Sequence, residues 1–251
     1  MSEKINKQLE SLYNEILNKN DLIKKFTIQK LTDYSAPFLL KIDKNYLTAD
    51  KKILFVGKET NRWWGRLKDF TDNDNAVQIL QQRYVAELFG GEVPNKHGEI
   101  SKYKKEQSWN NQFFTEYKKI RKKLLNNVEG ALVWSNLLKF DNAKSSTYSR
   151  NTKNDKTVIE ISKQMFLKEL EILKPDYIVF ATSYTYDAII KDYFNDEIED
   201  SLVIESHSLW KFKYKNIICY RTWHPATIKY KALKNKLDYY EDIVQDINNI
   251  K

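Results

Sequence analysis

The sequence predicts an α/β fold, a three-layer sandwich with a mostly parallel central sheet flanked by helices. Three observations predict it. Short apolar runs without alternation occur at residues 53–56, 131–134 and, directly after Asp176, 177–181, which is the pattern of strands buried on both faces. Segments with apolar residues at steps of three and four separate these runs, as a parallel sheet with helical crossovers requires. The first two runs end directly in polar residues, Gly57-Lys58-Glu59-Thr60-Asn61 and Ser135-Asn136, and a later strand ends in Trp223-His224-Pro225. The carboxyl ends of such strands are where open α/β sheets bind ligands.

The elements follow in order. Residues 4–25 predict one amphipathic helix, with Ile5, Leu9, Leu12, Tyr13, Ile16 and Leu17 at helical spacing. Residues 53–56 predict the first strand. Residues 76–89 predict a helix through Val77, Leu80, Tyr84 and Leu88, ended by Gly90-Gly91 and Pro94. Ser108 is a candidate cap for a helix over 109–125, aromatic on one side and Lys-rich on the other. Residues 131–134 predict the second strand, and the aperiodic polar stretch 141–157 predicts a loop. A helix over 158–173 stops before Pro175. A strand over 176–181 and a helix to about residue 194 come next. Residues 202–204 predict an edge strand, 216–222 a further strand, and 229–249 a terminal helix. No Pro/Gly/Ser-rich linker divides the chain, so a single domain is expected over residues 1–251, with an N-terminal helical extension (1–50) and a helical insertion (65–130).

Composition bounds the function. The chain has 251 residues, 41% of them hydrophobic and 14% aromatic, enough for a sizeable core. Lys and Arg number 42 against 34 Asp and Glu, a net charge of +8. That balance suits a polyanionic partner such as nucleic acid, although a Lys- and Asn-rich composition alone also produces it. The lone Cys219 sits in an apolar run; it forms no internal disulfide and reads as a buried structural thiol. A cysteine-ligated cluster needs several thiolates. The start of the chain has no apolar signal core and no run approaches a membrane span, so a cytoplasmic protein without a membrane partner is expected. The three histidines, His97, His207 and His224, form no H-x-H or H-x-x-x-H pair, so no metal is expected.

The strand-end residues each carry two readings. Glu59 orients and polarises water, or is an exposed loop carboxylate. Gly57 before it permits close backbone approach. Asn136 reads a polar ring edge with its donors and acceptor, or holds its own loop as an Asx turn. His224, restricted to extended geometry by Pro225, donates to a departing anion, or is a packed strand-end histidine. Trp63 and Trp64 stack on unpaired bases, or form a hydrophobic lid packed on the core. Lys229, Tyr230 and Lys231 meet a duplex backbone, or are a solvated helix start. Gly57-Lys58 is not a P-loop, because Lys52 takes the first Gly position and Glu59 follows the Lys. No Ser lies in G-x-S-x-G, so an esterase using Ser135 or Ser183 with His224 is the weakest reading.

Taken in order, the motifs resemble the uracil-DNA glycosylase superfamily. Ile53-Leu54-Phe55-Val56-Gly57-Lys58-Glu59-Thr60-Asn61 is similar to the family's water-activating motif, with Glu59 where Asp or Asn often stands. Trp134-Ser135-Asn136-Leu137 is similar to its base-reading motif, and His224-Pro225-Ala226 to its His-Pro-small motif. Tyr177 to Ser183 resembles its penultimate core strand. The resemblance covers residues 50–230 in short pieces.

It implies a uracil-DNA-glycosylase-like fold and a monofunctional DNA glycosylase that flips a base and hydrolyses its N-glycosidic bond. It implies catalytic Glu59, Asn136 and His224. Base contacts would come from Gly57, Lys58, Asn61, Trp63, Trp64 and Ser135. DNA contacts would come from Ser183, Thr227, Lys229, Tyr230, Lys144 and Arg150. The partner is single- or double-stranded DNA, and no cofactor is implied. The first motif departs from the family's Gln-Asp-Pro and Asn-Pro-Gly wordings, Lys58 adds a cation, and no residue is assignable as a filter against thymine. The excised base is therefore uracil or another deaminated base, or a modified pyrimidine such as phage DNA carries, which would make the role defence rather than repair. The competing class is a non-catalytic nucleic-acid-binding module on the same fold, and the carboxylate of Glu59 favours catalysis.

Overall fold

A computed structural model describes residues 1–60, 63–105, 111–142, 152–228 and 231–250. Contacts divide the chain into two compact units. The first comprises Met1–Lys41, Glu59–Ser108 and Asn136–Leu173, the second Ile42–Lys58, Trp109–Ser135 and Lys174–Lys251.

The second unit carries a six-stranded sheet. Its strands are β1 (Ile53–Gly57), β4 (Leu132–Asn136), β5 (Tyr177–Ala181), β6 (Ile198–Glu205), β7 (Leu209–Tyr214) and β8 (Ile217–Thr222); β2 (Gly91–Pro94) and β3 (Ile100–Tyr103) pair apart from it. The order is β4-β1-β5-β8-β7-β6. β1 and β5 pair in parallel, as do β5 and β8, while β7 is antiparallel to both β8 and β6. Thus β1, β5, β8 and β6 run one way and β7 is reversed. β1 and β5 are buried at every position, as their unbroken apolar sequences require.

Alternate residues of these strands meet different helices. On one face, Phe55 packs on Phe113 and Tyr117 of α7 (Gln112–Leu124) and on Tyr240 of α10 (Asp238–Asn249). On the same face, Tyr220 and Lys211 both bond Asp246 of α10 at 2.6 Å. On the other face, Phe180 and Phe212 pack on Phe194 of α9 (Asp187–Phe194). The sheet is therefore the middle of three layers. α4 (Lys44–Thr48) precedes β1 and ties to Glu129 through the Asn45 amide.

The first unit is helical, with α1 (Ser2–Ile16), α2 (Lys19–Lys25), α3 (Ile28–Asp33), α5 (Leu67–Thr71), α6 (Ala76–Phe89), α8 (Lys156–Leu173) and the β2–β3 hairpin. Its core holds an ion pair between Lys139 and Glu169 at 2.6 Å, with both side chains fully buried. Tyr13 of α1 donates to the other Glu169 oxygen, and the Lys139 ammonium lies over the rings of Phe38 and Phe166.

Several boundaries differ from expectation. The helix over 4–25 is two helices, because Asn18 turns its side chain back to accept from the backbone N–H of Asn20 and Asp21 and so starts a new one. α7 is capped by Asn111, which accepts from Phe114 N–H; Ser108 lies outside the described residues. The terminal helix starts at Asp238 rather than 229. Lys231, Lys234 and Lys236 precede that start, and lysines are disfavoured at a helix N-terminus, whereas Asp238 and Glu241 are favoured in its first turn. β2, β3 and β7 were not expected. The stretch 65–130 holds α5, α6, the hairpin and α7.

Candidate functional site

The parallel strands β1, β5 and β8 end side by side, at Gly57, Ala181 and Thr222. Their carboxyl ends deliver Lys58, Ser183 and His224. The ladder runs one step past the strands, where Ser183 N–H donates to the Thr222 carbonyl at 2.9 Å. Ser183 has φ 65° and ψ 160°, a positive-φ extended backbone found almost only at glycine, which costs about 1–3 kcal/mol. In that conformation its Oγ accepts the His224 backbone N–H at 2.8 Å and bonds Thr227 Oγ1 at 3.2 Å. The turn closes with Thr227 N–H on the His224 carbonyl at 2.9 Å.

The imidazole itself is held on two sides. Its plane lies on Phe113 of α7, with centroids 5.7 Å apart and planes inclined by 19°. Its Nδ1 accepts the Ala226 backbone N–H at 3.2 Å. A nitrogen that accepts carries no proton, so the neutral ring bears its proton on Nε2. Burial pushes the His224 pKa down to about 3, aided by the positive charges of Lys58 and Lys236. The ring is thus neutral at physiological pH, with Nε2–H as its donor. Lys236 donates to the Thr227 carbonyl, and burial lowers its own pKa. Lys58 Nζ lies 5.6 Å from the Tyr186 ring centroid.

Ser135 and Asn136 are buried, Asn136 as the last residue of β4, which neighbours β1. Glu59 lies two residues past the end of β1 and is half-buried. Next to it, in the first unit, Thr60 is locked by a buried network that the sequence did not announce. Thr60 donates to Asp141 at 3.1 Å, so the Ser35 hydroxyl, 3.0 Å away, donates to Thr60. Ser35 Oγ in turn accepts Asp141 N–H at 3.1 Å.

The structure corrects the expectation of exposed stacking tryptophans. Trp63 and Trp64 are each 5% exposed. Trp63 packs on Phe38 and under the Arg83 guanidinium, and Trp64 donates to the Pro94 carbonyl at 3.1 Å. They are the lid packed on the core of the first unit. Asn61, Lys144, Arg150, Lys229 and Tyr230 lie outside the described residues. The serine-hydrolase reading also loses support, because Ser183 Oγ serves the His224 backbone and Thr227 rather than the ring, and Nδ1 is taken by Ala226. Among the described residues no group of His, Cys, Asp and Glu is placed to hold a metal, and no helix is long and apolar enough to cross a membrane. The chain matches no family model, and no curated protein matches its sequence.

Proposed function

We propose that the protein is a DNA glycosylase, a divergent member of the uracil-DNA glycosylase superfamily, acting on a base flipped out of DNA. The observation that carries this reading is the fixed, neutral His224 at the carboxyl edge of β8, with its proton on Nε2. Breaking an N-glycosidic bond leaves positive charge on the sugar and negative charge on the base. A neutral N–H donor beside two lysines meets the departing anion without first losing a proton to it, and such preorganised donors act on the charge that develops in the transition state. Asn136 would bond the edge of the flipped base, since an amide supplies both donor and acceptor. Glu59, to which the family resemblance assigns water activation, would favour the sugar cation and take a proton from the attacking water as its oxygen bonds C1′. The electron pair of the broken bond leaves with the base, which is then protonated. The net charge of +8 supplies attraction to phosphates, and flipping costs a few kcal/mol.

The substrate is a deaminated base such as uracil, or a modified pyrimidine. End-labelled duplexes with one uracil, or one bulky modified pyrimidine, followed by alkaline cleavage, test this. The reading expects a strand break at the target position that His224→Ala lowers by about 10²- to 10³-fold, the effect of losing one such donor. Equal cleavage by wild type and His224→Ala would refute the role of the imidazole.

A further inference from the structure

Beside His224 the second unit presents an aromatic pair to solvent. Tyr184, which follows Ser183, is 38% exposed and stacks on His207, with centroids 4.3 Å apart and planes inclined by 28°. His207 is exposed as well. Tyr184 also meets the buried Trp223 edge-on at 5.6 Å, and Trp223 directly precedes His224.

The pair is braced from beneath. His207 holds a left-handed backbone, φ 62°, in the turn between β6 and β7. Its carbonyl accepts from Arg221 at 2.8 Å, and the buried Arg221 grips Asp187 at 2.9 Å. A positive-φ turn tied to the buried Arg221, itself paired with the half-buried Asp187, keeps its aromatic ring in one place, and strain of this kind persists only where the surroundings over-determine it.

Cations flank the ledge. Glu205, two residues before His207, accepts from Ser208 Oγ and from the Leu233 backbone N–H at 2.9 Å each. It also takes the Tyr239 hydroxyl. Glu205 therefore pins the segment holding Lys231 and Lys234, both exposed, against the turn that carries His207. Lys234 shares Asp242. An exposed aromatic face with lysines alongside is the surface that binds unpaired bases without regard to sequence, since every base has a π-face and every nucleotide a phosphate.

We propose that Tyr184 and His207 form a stacking ledge for an unpaired nucleobase flanking the one that His224 engages. The proposal rests on the nucleic-acid part of the reading above and extends it to single-stranded or locally melted DNA.

The test is fluorescence anisotropy with a labelled oligothymidylate, which holds no uracil or modified base, using the full chain. Wild type is expected to bind, Tyr184→Phe to bind equally, and Tyr184→Ala and His207→Ala to bind about tenfold more weakly. Matching thermal melts for wild type and variants exclude unfolding as the cause. Tyr184→Ala binding as tightly as wild type overturns the ledge while leaving the glycosylase reading standing. Loss of binding in Tyr184→Ala, with no base released from any DNA by wild type, supports the ledge and refutes the glycosylase. Wild type binding no oligonucleotide overturns the ledge.

Discussion

At the scale of residues, the proposed glycosylase chemistry turns on two side chains with different charge requirements. Glu59 must be ionised to favour a sugar cation. Glu59→Gln keeps the shape and removes the charge, so base release is expected to fall by at least about a hundredfold, the scale of a lost acid–base group, while DNA affinity is kept. Single-turnover release together with a binding isotherm checks both halves; a fully active variant would move water activation elsewhere. His224 must be neutral. Its pKa is held near 3, below the ordinary 6.5, so its ring resonances are expected not to titrate in an NMR series between pH 5 and 8. The sign for stability follows. In that window the unfolded chain takes up a proton that the folded chain refuses. The contribution of His224 to stability is thus full above about pH 6.5 and is lost as pH falls from there toward 3. A His224 midpoint near 6.5 would contradict a desolvated ring flanked by the charges of Lys58 and Lys236.

At the scale of elements, the buried strands were legible because burial on both faces leaves an unbroken apolar run, as in Ile53 to Val56 and Tyr177 to Ala181. β7 was equally legible in principle. Trp210, Phe212 and Tyr214 alternate with Lys211 and Lys213, and Tyr214 pairs with Ile217 across the two-residue turn Lys215-Asn216. The β2–β3 hairpin was hidden because Gly90-Gly91 and Pro94 read as breakers. Trp63 and Trp64 show a limit of another kind, since an aromatic pair has the same sequence whether it packs or protrudes. The Ser35–Thr60–Asp141 network joins three distant segments, so nothing local announces it. The buried Lys139–Glu169 pair is of the same sort and carries a prediction. Glu169→Ala strands an ammonium in the core and is expected to cost about 3–5 kcal/mol, read from urea unfolding. The double change Lys139→Met with Glu169→Leu is expected to recover most of that. A single variant as stable as wild type would mean that the pair is not held as described.

At the scale of the whole molecule, charge is the legible property and the division into two units is not. A net charge of +8 predicts DNA affinity that falls steeply with salt, because each neutralised phosphate releases counterions. Log affinity is expected to decline linearly with log salt concentration, and a flat dependence would point to a small-molecule substrate. The two units were invisible because the chain passes between them repeatedly, at Lys41–Ile42, Lys58–Glu59, Ser108–Trp109, Ser135–Asn136 and Leu173–Lys174, without a linker composition at any crossing. Two of those crossings fall at strand-end motifs, after Lys58 and after Ser135.

The activity proposed for the carboxyl edge of this sheet is the release of a base from DNA. Mass spectrometry of the small molecules released from DNAs carrying uracil, other deaminated bases or bulky modified pyrimidines tests it most directly. A free base, with an abasic site left in equal amount, is the predicted result. Every base retained, in DNA that the protein binds in a salt-dependent manner, would contradict it and leave a binding module in its place.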